Sequence, residues 1–233
     1  MEVVEAVFCD LGGVVWQPSV AAMKAALERV GVDADETTLD RAAYAGIVAY
    51  DAAPDGDGFV GADRAYALSA GVPEDRIEDV LEHLRDAYST GPWEARSAGD
   101  GVAALKALAA TGVGVAIVSN ASGSAEAELL EQAICQVGEG PGAQVAVVVD
   151  SGAAGVAKPD PAIFALALEA TRAAPEHTVH VGDSLHFDVD GAAAAGITPL
   201  HFDPYDLCER DDHVHVHTLC DVVDLVNRAR APR

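Results

Sequence analysis

The chain has 233 residues, with Lys+Arg 14 against Asp+Glu 38 and a formal charge of -24 at pH 7. That length suits one domain or one domain with an insertion, large enough to bury a core without a disulfide or metal staple; with 50% hydrophobic residues, 22 glycines and 11 prolines, the composition excludes disorder as the default. The negative field repels phosphate backbones and anionic lipid, so neither nucleic acid nor a membrane surface is an expected partner.

In chain order, the first apolar run, Val3 to Cys9, reads as a buried strand. It is preceded by no basic segment and ends at Asp10, so it is taken as neither a signal peptide nor an anchor, and a cytoplasmic location is expected. Residues 18–94 then hold no convincing strand. Ser19 to Val30, Thr37 to Tyr50 and Gly61 to Leu68 carry helical patterns, and a stronger one opens at Pro73 with Ile77, Val80, Leu81, Leu84 and Tyr88 on one face. An acidic turn, Asp55 to Gly58, lacks the ligand ladder of a calcium loop and reads as solvated.

Beyond the insertion, helices at Gly101 to Ala110, Ser124 to Ile134, Pro161 to Ala170 and Asp188 to Ala195 alternate with strands at Val113 to Val118, Val145 to Val149, Thr178 to Val181 and Thr198 to Phe202. Buried strands alternating with helices predict an α/β fold, a doubly wound parallel sheet, here with an all-helical domain inserted. The expected domains are 1–17 with 95–233, and 18–94. Ligands in such sheets bind at the carboxyl ends of the strands. Near the C-terminus His213, His215 and His217 alternate with Val214 and Val216; the favoured reading is an edge strand with valines inward and histidines in solvent, and the alternative is a zinc site with Cys208 or Cys220 nearby. The four cysteines, Cys9, Cys135, Cys208 and Cys220, have no CxxC spacing and are expected to be free thiols. Cys9, alternating with Asp10 on a buried strand, reads as core.

Four segments carry chemistry. The first strand ends in Asp10, a potential nucleophile or metal ligand, followed by Gly12 and Gly13, which allow close approach of the backbone to a ligand. The second ends in Ser119 and Asn120, a hydroxyl and an amide near a helix start, suited to an anion. Lys158, one of three lysines in the chain, precedes a Pro-opened helix and can neutralise a phosphoryl group. The fourth strand runs into Gly182 and Asp183, with Asp188 close behind, and two carboxylates there suit a hard cation such as Mg²⁺. Each has an ordinary reading as well: a turn aspartate, a helix cap, a surface lysine and a polar loop. Four ordinary readings would have to coincide at the ends of successive strands.

This order of Asp, Ser, Lys and a Gly-Asp acidic loop resembles the haloacid dehalogenase-like (HAD) superfamily, from Val4 to Phe202, and the helical insertion has the length and position of that family's cap domain. The resemblance implies a Rossmann-like core and a Mg²⁺-dependent phosphohydrolase acting on a small phosphorylated metabolite, as a monomer or homodimer. It gives Asp10 the role of nucleophile, forming an aspartyl-phosphate, and Ser119, Asn120 and Lys158 the role of holding phosphate. Asp10, the Gly12 carbonyl and Asp183 become the Mg²⁺ ligands, and Asp188 supports them. One position departs from the pattern: the family's phosphatases usually carry a general-acid Asp two residues after the nucleophile, and here Gly12 stands there. A 2-haloacid dehalogenase and a non-catalytic phosphate-binding regulator are therefore the alternatives. His186, inside the acidic loop, is a candidate replacement acid, although packing or solvent exposure is favoured for it. Trp16 and Gln17 face either substrate or a hinge.

Overall fold

A continuous apolar run around Phe8 forms β1 (Ala6–Cys9), and all four of its side chains are buried. The computed structural model describes residues 3–53, 58–96 and 101–230; of the acidic turn expected at 55–58, only Gly58 falls within them. The chain divides into two compact units, one of Met1–Val15, Ala95–Pro204 and Arg210–Arg233, the other of Trp16–Glu94 and Tyr205–Glu209.

The first unit holds a six-stranded sheet in which β1 is flanked by β4 (Gly114–Ser119) and then β7 (Val147–Asp150) on one side. On the other side come β8 (Thr178–Gly182), β9 (Thr198–Phe202) and β10 (Val214–Val216). Every pair is parallel, as expected from the near-continuous apolar runs. The order of connection reverses at β1, which makes the carboxyl end of that strand the topological switch point where crevices open. On one face Phe8, Ala116, Val118 and Val149 pack against Ile163, Phe164 and Ala167 of α8 (Pro161–Thr171). That helix starts where the sequence predicts, because Asp160 caps it by accepting from the Ala162 N–H at 2.9 Å and Pro161 occupies the first turn. α5 (Gly101–Ala110) packs against α10 (Leu219–Arg230), a helix the sequence reading passed over although Leu219, Val222 and Val226 bury one stripe at helical spacing.

Some expectations need correction. The single strand read at Val145 to Val149 is split: β6 (Ala143–Val145) pairs with β5 (Cys135–Val137) in a separate two-stranded sheet, and only β7 joins the main one. The helix expected from Asp188 begins earlier as a π-helical turn over Leu185–Asp190, followed by a short α-helix, α9 (Gly191–Ala194). At the terminal edge strand β10 the expectation of valines inward and histidines outward fails at its start, where Val214 is 49% exposed and the preceding His213 side chain 2% exposed, and holds at its end. Val216 is buried and His217 exposed.

The second unit is helical: α1 (Val20–Glu28), α2 (Glu36–Asp51), α3 (Gly58–Ser69) and α4 (Ile77–Thr90). Asp35 caps α2 by accepting from the Thr38 N–H at 2.8 Å. The α4 stripe buries Ile77, Val80, Leu81 and Leu84 against Met23, Leu27 and Leu39. Tyr88, expected on the same stripe, is 52% exposed and lies edge-on to Trp93. Short strands β2 (Trp16–Pro18) and β3 (Trp93–Ala95), absent from the sequence reading, pair where the insertion begins and ends, and Trp16 packs on Trp93 with ring centroids 5.4 Å apart. Tyr205 returns to this unit because its hydroxyl donates to Asp40 at 2.6 Å and its ring lies against Tyr44. Among the described residues no helix is long and apolar enough to cross a membrane.

Candidate active site

Strand register assembles the site. Ala6 to Cys9 run level with Gly114 to Ile117 on one side and with Thr178 to Val181 on the other, so Asp10 leaves the sheet level with Val118 and Gly182, one residue short of Ser119 and Asp183. The Asp10 N–H donates to the Val181 carbonyl at 2.8 Å, holding the start of the first loop against β8. Two glycines make room for the carboxylates. A Cβ at Gly13, whose φ is +71°, would stand 1.9 Å from Asp183 Oδ2, and one at Gly182 would stand 2.1 Å from Asp188 Cγ. Any other residue at either position would displace a carboxylate.

Lys158 lies at the centre, 4% exposed, with Nζ 2.7 Å from Asp10 Oδ1 and 2.6 Å from Asp188 Oδ1. The contact to Asp10 is a buried ion pair. Asn120 fixes this lysine from behind: its Nδ2 donates to the Lys158 carbonyl at 3.0 Å and its Oδ1 accepts from the Lys158 N–H at 2.8 Å. Its side chain is thus committed to the lysine backbone, coupling the second motif to the third, while Ser119 stays buried at the end of β4.

Asp188 is the most constrained carboxylate, 1% exposed. Its Oδ1 meets Lys158 and the Nε2 of His180 at 2.8 Å, and its Oδ2 accepts from the Ser184 N–H at 3.1 Å. His180 is a positioning residue the sequence reading missed, hidden in the apolar run of β8 with its Nδ1 buried and without a hydrogen-bond partner. Asp150 was missed as well. Ending β7, it accepts from the N–H groups of Gly123, Ala125 and Gly152 and so shapes the loop after Ser119. A polar residue inside an otherwise apolar strand, and an Asp followed by Ser-Gly, were the available signals. His186 is half-buried with its ring edge-on to Phe187.

Burial pushes the Asp10 carboxyl above the ordinary carboxylate range; Lys158 opposes that shift and the Asp188 charge adds to it. Burial acts on Asp188 in the same direction, but Lys158 and His180 together outweigh it and hold the carboxyl well below the usual range. The two carboxylates hold Lys158 well above the ordinary lysine range in spite of its burial. For Asp188, whose folded pKa is depressed, the stabilisation is complete above the unfolded value of about 4 and is lost as pH falls through the folded value. For Lys158 the sign is opposite: its contribution is complete below about pH 10 and is lost as pH rises through its raised value. Asp188→Ala is expected to destabilise the fold by about 3–5 kcal/mol, because it leaves a buried lysine short of a partner and orphans the Ser184 N–H. Urea unfolding checks this, and an unchanged midpoint would show that the ion cluster does not support the fold.

Oxygens of Asp10, Asp183 and Asp188 lie within 4.8 Å of one another. Three carboxylates against one buried ammonium leave an excess of negative charge. An all-oxygen donor set of this kind fits a hard divalent cation such as Mg²⁺. The four cysteines are free, with Cys9 and Cys135 in the core, where burial pushes the Cys135 thiol up to about 12.

A family model for haloacid dehalogenase-like hydrolases matches residues 4–196. The phosphoserine phosphatase of Thermus thermophilus is 36% identical over 92 residues, a match that spans 40% of this chain and 34% of that protein. Among solved structures, a HAD phosphatase from Thermococcus onnurineus aligns with TM-score 0.56 at 18% identity, covering 98% of this chain and 100% of that one. A HAD-hydrolase from Bacillus subtilis, bound to magnesium, aligns with TM-score 0.60 at 16% identity over 97% and 99% of the two chains. A 2-haloacid dehalogenase from Pseudomonas syringae aligns with TM-score 0.55 at 18% identity over 97% and 99%. At these identities the solved structures speak for the fold, and the family match, running through all four motif segments around Lys158, carries the assignment: the chain belongs to the haloacid dehalogenase-like hydrolases.

Proposed function

We propose that this hydrolase is a Mg²⁺-dependent phosphatase of small phosphorylated metabolites, working through an aspartyl-phosphate on Asp10. The observation that carries the reading is the buried cluster of Asp10, Asp183 and Asp188 around Lys158, a charge arrangement suited to receiving a phosphoryl group. Asp10 attacks phosphorus, the bond to the leaving oxygen breaks, and the alkoxide or phenolate departs. Water then attacks the aspartyl-phosphate, releasing inorganic phosphate and restoring the carboxylate. Lys158 balances charge on the equatorial oxygens and the Ser119 hydroxyl donates to one of them. Asp188, steadied by His180, keeps the lysine aimed at Asp10. Asp10, the Gly12 carbonyl and Asp183 are the groups that would hold Mg²⁺, which when bound supplies positive charge against the transferring group. Selection of the substrate is assigned to the helical unit, acting as a cap.

The carboxylate pair of Asp183 and Asp188 favours phosphoryl over carbon chemistry, since dehalogenation by an aspartate needs no cation. A panel of phosphorylated metabolites separates the alternatives: phosphate release is expected with Mg²⁺ and is expected to vanish in EDTA. Asp183→Ala should lose most of the Mg²⁺ affinity seen by calorimetry. Halide release from 2-haloacids without metal would replace this reading with dehalogenation, and binding of phosphate without turnover of any ester would make the protein a regulator.

A further inference from the structure

Three imidazoles converge where β9 and β10 pair: His215 lies in register with His201, and His213, just before β10, is on the same face as His215. Each has one ring nitrogen committed to an oxygen that can only accept. His201 Nε2 meets the Asp183 carbonyl at 3.1 Å, His213 Nδ1 meets the Asp212 carboxylate at 2.9 Å, and His215 Nε2 meets the Arg210 carbonyl at 2.9 Å. Those three nitrogens must therefore carry the protons, and in neutral rings the opposite nitrogens carry lone pairs.

The lone-pair nitrogens then have poor neighbours. His201 Nδ1 stands 3.1 Å from His213 Nε2, so two acceptors face each other at hydrogen-bond distance. His215 Nδ1 stands 3.4 Å from Oδ2 of the buried Asp203, again an acceptor against an acceptor. Something positive must lie between them, either protons or a metal ion. Four-coordinate zinc with bonds of about 2.0–2.1 Å separates its ligand atoms by about 3.4 Å, close to both contacts. Donation of the second ring N–H to a carboxylate or a carbonyl, seen here three times, is the outer-shell arrangement that orients metal-binding imidazoles.

We propose that His201, His213 and His215 form a second cation site, for a borderline transition metal such as Zn²⁺, with Asp203 available as a fourth ligand. Nitrogen donors separate it from the all-oxygen Mg²⁺ site by chemistry. Binding requires the His215 ring to tilt out of its stack on His213, now 10° from parallel with centroids 4.6 Å apart. The ion would staple the three-residue edge strand β10 to β9, and through the His201 bond it would brace the backbone of Asp183.

The test is a Zn²⁺ titration of the chelator-stripped full chain in excess Mg²⁺, read by metal analysis after dialysis and by ¹⁵N NMR of the histidine rings. One equivalent is expected to bind, moving the resonances of His201 Nδ1, His213 Nε2 and His215 Nδ1 and leaving the opposite nitrogens protonated. His213→Gln and His215→Gln should each weaken Zn²⁺ binding by about 10²-fold or more, while Asp183→Ala, which keeps the backbone carbonyl, should retain it. Absence of zinc binding would overturn the site, as would unmoved ring nitrogens or a proton shared between His201 and His213 that zinc does not displace. Loss of zinc in Asp183→Ala with retention in both glutamine variants would also overturn it, placing the ion among the carboxylates. The ring-nitrogen reading needs no variant, so a misfolded substitution leaves the test intact.

Discussion

Asp10→Asn is expected to reduce hydrolysis of any phosphate ester by on the order of 10⁴-fold or more, because an amide neither attacks phosphorus nor balances Lys158. The fold should survive, since the replacement has nearly the same shape and removes one of the like charges crowding the cluster. Single-turnover assays on purified variant and parent, with urea midpoints alongside, check both halves. Retention of a tenth of the activity would exclude Asp10 as the nucleophile.

The second large effect concerns Gly12, where the family's phosphatases usually carry a general acid. With no acid at that position, turnover should depend steeply on the pKa of the leaving alcohol, so that acyl, anomeric and aryl phosphates react much faster than alkyl phosphates. In the proposed mechanism Lys158 and a bound cation would steady the phosphoryl oxygens but would protonate no alkoxide. Gly12→Asp is then expected to raise alkyl phosphate turnover by up to about 10²-fold with little gain on aryl esters. The backbone carbonyl at this position survives the change, so cation binding should hold. Equal single-turnover rates for alkyl and aryl esters in the parent would reveal another acid, and His186→Ala is the variant that would then identify it.

The core was legible because its strands are uninterrupted apolar runs and its helices begin at recognisable caps. Gly101 to Ala110 and Thr198 to Phe202 were read with their observed bounds. The split at residues 143–150 was not legible, because Val145 and the run from Val147 are equally apolar and only long-range pairing distinguishes them. The four motif segments could be read because each is polar where a buried strand ends. His180 could not, since a histidine within Val179 to Val181 looks like core until Asp188 is seen behind it. Nor could the partner of Asn120 be read, because the Lys158 backbone it clasps lies 38 residues away. For the terminal histidines, the two-residue period correctly implied a strand, but the period alone cannot say which face is inward. Here Val214 is exposed and Val216 buried on one face, while His213 packs beside His201 of the neighbouring strand on the other.

The pairing of β1 has a consequence for how the protein gains and loses its chemistry. Ala6 lies beside Gly114 and Thr178, so β1 has no neighbour in the sheet until the chain has reached Gly114, and lacks its second until Thr178. Asp10, Lys158 and Asp188 belong to three such distant stretches, and their charges are tolerable only in one another's company. A half-built centre would be costly, because an isolated Asp10 or Lys158 would stay in water rather than enter an unfinished core. Assembly of the charged centre is thus expected late in folding, once the stretches carrying Asp10, Lys158 and Asp188 have all joined the sheet.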